Sequence, residues 1–221
     1  MNVHYGFCAA SILFALSAHL FAFQLVKQEA PYYRLFHPIA LLIAGISGTF
    51  FYVLLQALQS FSYQSHLTYG LFAFALCVTA QTDAQTLLIS RWASLFLVPV
   101  AWIGANLGFI TITPLSSIFG ALVGLLTLAL TARLALRWTG QESIGQGDID
   151  FLACIGAFLG PLGCWQSLLF GSVTGSLFGI VFLAIHGKQA RKMKLPFGTF
   201  LAFGAMAQLL MQLKSQFFFS F

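Results

Sequence analysis

Ser143-Ile144-Gly145-Gln146-Gly147-Asp148-Ile149-Asp150-Phe151-Leu152 is the stretch on which the reading of this chain turns. It carries two of the five acidic residues, set among glycines, and opens an apolar run that continues from Ala153 to Gly160. A hydrophobic chain keeps a carboxylate at membrane depth only where a partner, water or function holds it there. Asp148 is therefore read as half of a catalytic pair, and the chain must supply the other half.

The surroundings are those of a membrane protein. Of 221 residues, 59% are hydrophobic and 7% charged, against about 25% charged in a soluble domain. The net charge of +5 comes with no basic stripe or soluble domain to present it, so no nucleic-acid partner is expected. In a membrane protein basic residues mostly report orientation. The four cysteines, Cys8, Cys77, Cys154 and Cys164, all lie in apolar segments without Cys-x-x-Cys spacing. They read as small buried apolar residues, without a disulfide framework or a zinc site. The first apolar run has no basic residues before it and reads as a retained helix, not a cleaved signal.

Apolar runs broken by polar punctuation predict an all-α polytopic transmembrane bundle of about eight helices. Their approximate spans are 3–26, 35–58, 66–88, 92–112, 115–138, a short 148–162, 164–186 and 196–219. The chain reads as one integral membrane domain, with two N-terminal helices in residues 1–65 and a six-helix core in 66–221. Lys27 and Arg34, Arg91, Arg133 and Arg137, and Lys188, Arg191, Lys192 and Lys194 flank alternate connections. The intervening connections, near residues 59–65, 112–114 and 163, carry no Lys or Arg. The positive-inside rule then puts the basic connections in the cytoplasm and both termini outside, with Lys214 snorkelling to the interface.

This topology finds the partner. Asp83, in Thr79-Ala80-Gln81-Thr82-Asp83-Ala84-Gln85-Thr86, falls at the cytoplasmic end of the third helix, at the depth where Asp148 opens the sixth. Thr79, Ala80 and Thr86 share its side at helical spacing, which suits a packed, wet interior. Two neighbouring carboxylates sharing a proton are the apparatus of an aspartic protease: one takes a proton from water, the other donates to the scissile carbonyl. Asp148, at a helix N-terminus, would be the more ionised member, and Asp83, near a helix C-terminus, the less ionised one. Gly145 and Gly147 would let a peptide backbone approach, although Gly-x-Gly-Asp alone also fits an ordinary loop before a helix.

Three blocks now carry a resemblance. Gly140 to Gly160, Asp83 followed by Leu88-Ile89, and Leu195-Pro196-Phe197-Gly198-Thr199-Phe200-Leu201-Ala202 together resemble the aspartic prepilin peptidases, members of the Gly-x-Gly-Asp intramembrane proteases. The resemblance implies packed helices in the bacterial inner membrane, with both aspartates near the cytoplasmic surface. It implies removal of a short basic leader from prepilins or pseudopilins, just after a glycine, with no organic cofactor or metal. Pro196, Phe197 and Gly198 open the family's last helix and, with Gly145 and Gly147, are expected to support substrate or backbone. Family members usually have proline at Ser90, often an acid at Arg91, and lysine at Asp150. Asp150 points away from Asp148 on a helix and reads as solvated or as a partner for a nearby cation. Many relatives carry paired Cys-x-x-Cys motifs between the first two helices, linked to N-methylation; here that interval is Lys27 to Arg34, so cleavage alone is expected.

The remaining polar residues point to no other chemistry. His4, His19, His37, His66 and His186 lack metal-ligand spacing and read as interfacial. The loop from Lys188 to Lys194 would touch anionic lipid, and Glu142 is a candidate to receive a basic leader. The 25 phenylalanines read as lipid-facing bulk. A proton-coupled transporter using Asp83 and Asp148 as a relay is the alternative from another class, and a non-catalytic pilus or secretion assembly factor is a third. A transporter would show inverted repeats and midplane charges, and the sequence shows neither.

Overall fold

A computed structural model of the chain describes residues 2–27, 38–140, 144–186 and 195–219. Regular structure among them is helical: α1 (Asn2–Lys27), α2 (Pro38–Ala57), α3 (Tyr63–Thr86), α4 (Arg91–Leu95), α5 (Leu97–Asn106), α6 (Pro114–Thr139), α7 (Gln146–His186) and α8 (Phe197–Phe219). Four of these, α1, α2, α6 and α7, are long and apolar enough to cross a membrane. The interval Lys27 to Arg34 (beyond Lys27 itself), His37, Glu142 and the loop from Lys188 to Lys194 lie outside the described residues.

Two breaks differ most from the sequence reading, and a proline stands beside each. The helix expected over 92–112 is broken at Phe96 and ends at Asn106. Pro99 has no N–H for the Leu95 carbonyl and its ring crowds that carbonyl, so α4 and α5 cannot run on as one. The break expected near 163 falls instead at Gly160 (φ 74°, ψ 178°), just before Pro161. There α7 doubles back. Cys164 Sγ lies 3.9 Å from the Leu152 carbonyl, whereas twelve residues of straight helix would separate them by about 18 Å. A first arm, residues 146–159, and a second arm, residues 161–186, thus form a hairpin.

The hairpin is the centre of the packing. Gly120 and Gly124 of α6 bring that helix backbone to backbone with Gly156 and Leu152 of the first arm, and Ser117 Oγ donates to the Ala157 carbonyl at 2.8 Å. Gly204 of α8 meets Ser167 and Gly171 of the second arm. The Phe72 ring of α3 stacks on Phe158 with centroids 4.2 Å apart. α1 and α2 pack on the outer side of α3. Because α3 is enclosed by these neighbours, it can bury Thr79, Gln81, Thr82 and Asp83.

Three residue-level expectations change. Phe50, Phe72, Phe151 and Phe158 are core residues, not lipid-facing bulk. Cys8 is exposed while Cys77, Cys154 and Cys164 are buried. His19 is buried rather than interfacial, and its Nδ1 lies 2.9 Å from Gln81 Oε1.

Candidate active site

The last turn of α3 presents Asp83, which is 4% exposed. Leu87 ends the helix in the left-handed conformation (φ 57°), and its N–H donates to the Asp83 carbonyl. A bare carboxylate here would be costly, and the start of α8 meets the need. The Thr199 N–H and hydroxyl donate to Asp83 Oδ2 at 2.7 and 3.1 Å, and the Gly198 backbone also hydrogen bonds the carboxyl. These amides belong to the first turn of α8, where backbone N–H groups have no partner within the helix. Asp83 fills that role from another element.

The Thr199 hydroxyl also lies 3.1 Å from the Ala80 carbonyl. It has one proton and can accept as well as donate. It can give that proton to an ionised Asp83, or give it to Ala80 and accept from a protonated Asp83. Asp83 keeps a partner in either state.

Asp148 stands in the first turn of α7. Its N–H donates to the Gly145 carbonyl at 3.2 Å. A Cβ on Gly145 would stand 3.4 Å from Asp148 Oδ2, so the loop backbone passes close beside the carboxyl. Asp148 Oδ1 is buried and has no protein hydrogen-bond partner among the described residues. The side chain lines a cavity of about 400 Å³ with Leu128, Ile144, Leu168 and Phe197 among its walls. The two carboxyls are near enough to interact electrostatically. Loop charge puts the two aspartates at one membrane depth, and their interaction accords with the pairing expected from sequence. The dipole argument for their asymmetry does not survive, because Asp83 faces the N-terminus of α8 just as Asp148 sits at that of α7.

Ile89, on the connection leaving α3, joins the two halves. A Cβ on Gly147 would come within 2.9 Å of Ile89 Cβ, and one on Gly198 within 2.5 Å of Ile89 Cδ1 and 3.2 Å of Asp83 Oδ2. Both glycines therefore have an internal reason: helix starts carrying the site close on one isoleucine. Two residues on, Arg91 Nε donates to Asp150 Oδ2 at 2.9 Å. Asp150 is not solvated; it is buried and paired. The departures from the family pattern at Arg91 and Asp150 are thus each other's partners. Ser90, the third departure, precedes α4 without a side-chain cap.

Of the residues singled out from sequence, Asp83, Asp148, Gly145, Gly147, Phe197 and Gly198 converge, while Pro196 stands just before α8. Thr199, Ile89 and Arg91 lie in or beside the blocks of resemblance but were given no role at the site. Thr199 carried a readable signal, a hydroxyl residue where a helix start leaves amides free; the contacts of Ile89 and Arg91 with α7 and α8 could not be read locally. Among the described residues no three His, Cys, Asp or Glu side chains gather as a metal site.

Fold and site together define a multi-pass helical membrane protein with two interacting carboxylates, Asp83 at the end of α3 and Asp148 at the start of α7. Residues 70–183 match the type IV leader peptidase family, and the chain belongs to that family. It is 31% identical over 192 residues to the prepilin leader peptidase/N-methyltransferase of Dickeya chrysanthemi, covering 84% of this chain and 61% of that protein. Proteins of the same name from Pseudomonas aeruginosa (31% identity; 65% of this chain, 47% of that one) and Burkholderia pseudomallei K96243 (34%; 63% and 46%) are also similar. The chain covers less than two thirds of the length of each. No solved structure matches it.

Proposed function

We propose that the chain is an aspartic endopeptidase of the bacterial inner membrane that removes the short basic leader of type IV prepilins or pseudopilins, with Asp83 and Asp148 as the catalytic pair. The observation that carries this reading is a second, distant carboxylate held beside the Gly-x-Gly-Asp aspartate, in a chain of the leader peptidase family. The pair shares one proton, which belongs to neither residue alone. One carboxylate takes a proton from the attacking water while the other gives a proton to the scissile carbonyl. The free Oδ1 of Asp148 suits a water ligand, and the Thr199 hydroxyl lets Asp83 change protonation without losing its partner.

The bundle is read as eight spans with both termini extracytoplasmic and the pair opening to the cytoplasm, supported by the alternation of basic connections. Residues 66–221 would form the peptidase core and residues 1–65 two accessory helices. The relatives' name includes N-methyltransferase; the proposal for this chain is cleavage alone, since none of its four cysteines forms a Cys-x-x-Cys pair.

The test is co-expression with a prepilin, following leader removal by gel shift. Asp83→Asn and Asp148→Asn should each abolish processing while the protein still accumulates in the membrane. Normal processing by either variant defeats the assignment. The mass of the mature N-terminus decides methylation separately, an unmethylated product being expected.

A further inference from the structure

The connection between α3 and α4 touches both helix starts that carry the site. Ile89 lies against Gly147 of α7 and Gly198 of α8. Arg91, the first residue of α4, reaches Asp150 on the first arm of α7. The Asp150 side chain is 5% exposed and that of Arg91 64%, so the bond joins a buried acid to a cation at the surface. Among the described residues the other Asp150 oxygen has only Gln146 Nε2, at 3.4 Å.

Without Arg91, Asp150 becomes a buried carboxylate with one long hydrogen bond. An uncompensated buried charge is a strong perturbation, moderated here because solvent reaches the arginine end. Asp150 must then take up a proton or draw its turn toward water. Asp148 lies on the same turn, roughly 200° around the helix axis, and moves with it.

We propose that Ile89 and Arg91 form a positioning clasp that sets the spacing between Asp83 and Asp148. The connection continues directly from the helix bearing Asp83 and grips the helix bearing Asp148, wedging with Ile89 and tying with Arg91. This rests on the reading of those aspartates as the cleaving pair. Neither clasp residue meets the substrate; both act through the carboxylates.

The experiment measures leader cleavage by the full chain in membranes, with Arg91→Glu, Asp150→Lys and the double variant. Each single reversal should lower kcat about tenfold or more and leave KM within about twofold, and the double should recover to within about threefold of the parent. Ile89→Ala, which removes the wedge without stranding a charge, should also lower kcat at constant KM. Single variants with parental kcat, a double variant no better than the worse single, an effect confined to KM, or an Ile89→Ala enzyme with unchanged kcat would each overturn the clasp. If a single reversal fails to accumulate, the double variant and Ile89→Ala still decide. Asp83→Asn is assayed alongside. Cleavage by that variant defeats the reading of the site, whereas an inactive Asp83→Asn with uncoupled reversals defeats the clasp alone.

Discussion

Thr199 and Gly198 show how much of the site depends on single atoms. The Thr199 hydroxyl gives Asp83 one of its hydrogen bonds, and a bond to an ionised group contributes about 1.5–3 kcal/mol. If that bond matters most in the transition state, Thr199→Val should slow cleavage about 10- to 100-fold. Thr199→Ser, which keeps the hydroxyl, should retain most of the rate; initial rates on a prepilin substrate check both. Gly198→Ala places a methyl 2.5 Å from Ile89 Cδ1 and 3.2 Å from Asp83 Oδ2, so the isoleucine or the carboxyl must move. Cleavage should fall sharply, and Ile89→Val, which lacks Cδ1, should restore part of it. Full activity in Gly198→Ala alone would contradict the packing.

At the scale of elements, two backbone positions are set by conformation rather than contacts. Gly160 turns the α7 hairpin at φ 74°, ψ 178°, a region essentially restricted to glycine, and a side chain there costs about 1–3 kcal/mol. Gly160→Ala should lower the unfolding midpoint in detergent. Leu87 ends α3 at φ 57°, which β-branched residues adopt poorly. Leu87→Val should therefore be destabilised by about 1–2 kcal/mol, while Leu87→Asn should be tolerated. What was legible in the sequence follows the same physics. Hydropathy located most of the helices, because lipid acts on short segments, and the pairing expected of Asp83 and Asp148 is matched by the interaction of their carboxyls. Pro99 was overlooked because an apolar run hides a missing N–H. The Arg91–Asp150 tie spans 59 residues and leaves no local pattern, and Thr199 could be tied to Asp83 only after α8 had been docked on α3.

Across the whole molecule, the hairpin of α7 lies between α6 and α8, and α3 is enclosed behind it. This fits the absence of α3 from the four helices long and apolar enough to cross a membrane: neighbours, not lipid, surround its polar end. The orientation proposed from loop charge can be checked by cysteine labelling in a Cys8→Ser background, since Cys8 is exposed. Lys188→Cys should be shielded from an impermeant reagent in intact cells and react in inverted vesicles. Gln59→Cys should show the reverse, and swapped behaviour would invert the topology.

The dependence of Asp83 on Gly198 and Thr199 also sets a moment in biosynthesis. A growing chain has made and inserted both aspartates some fifty residues before α8 emerges. Until then Asp83 lacks its donors and the cavity beside Asp148 lacks its Phe197 wall. On the proposed reading the site is therefore assembled last, and a chain still lacking α8 should not cleave a leader.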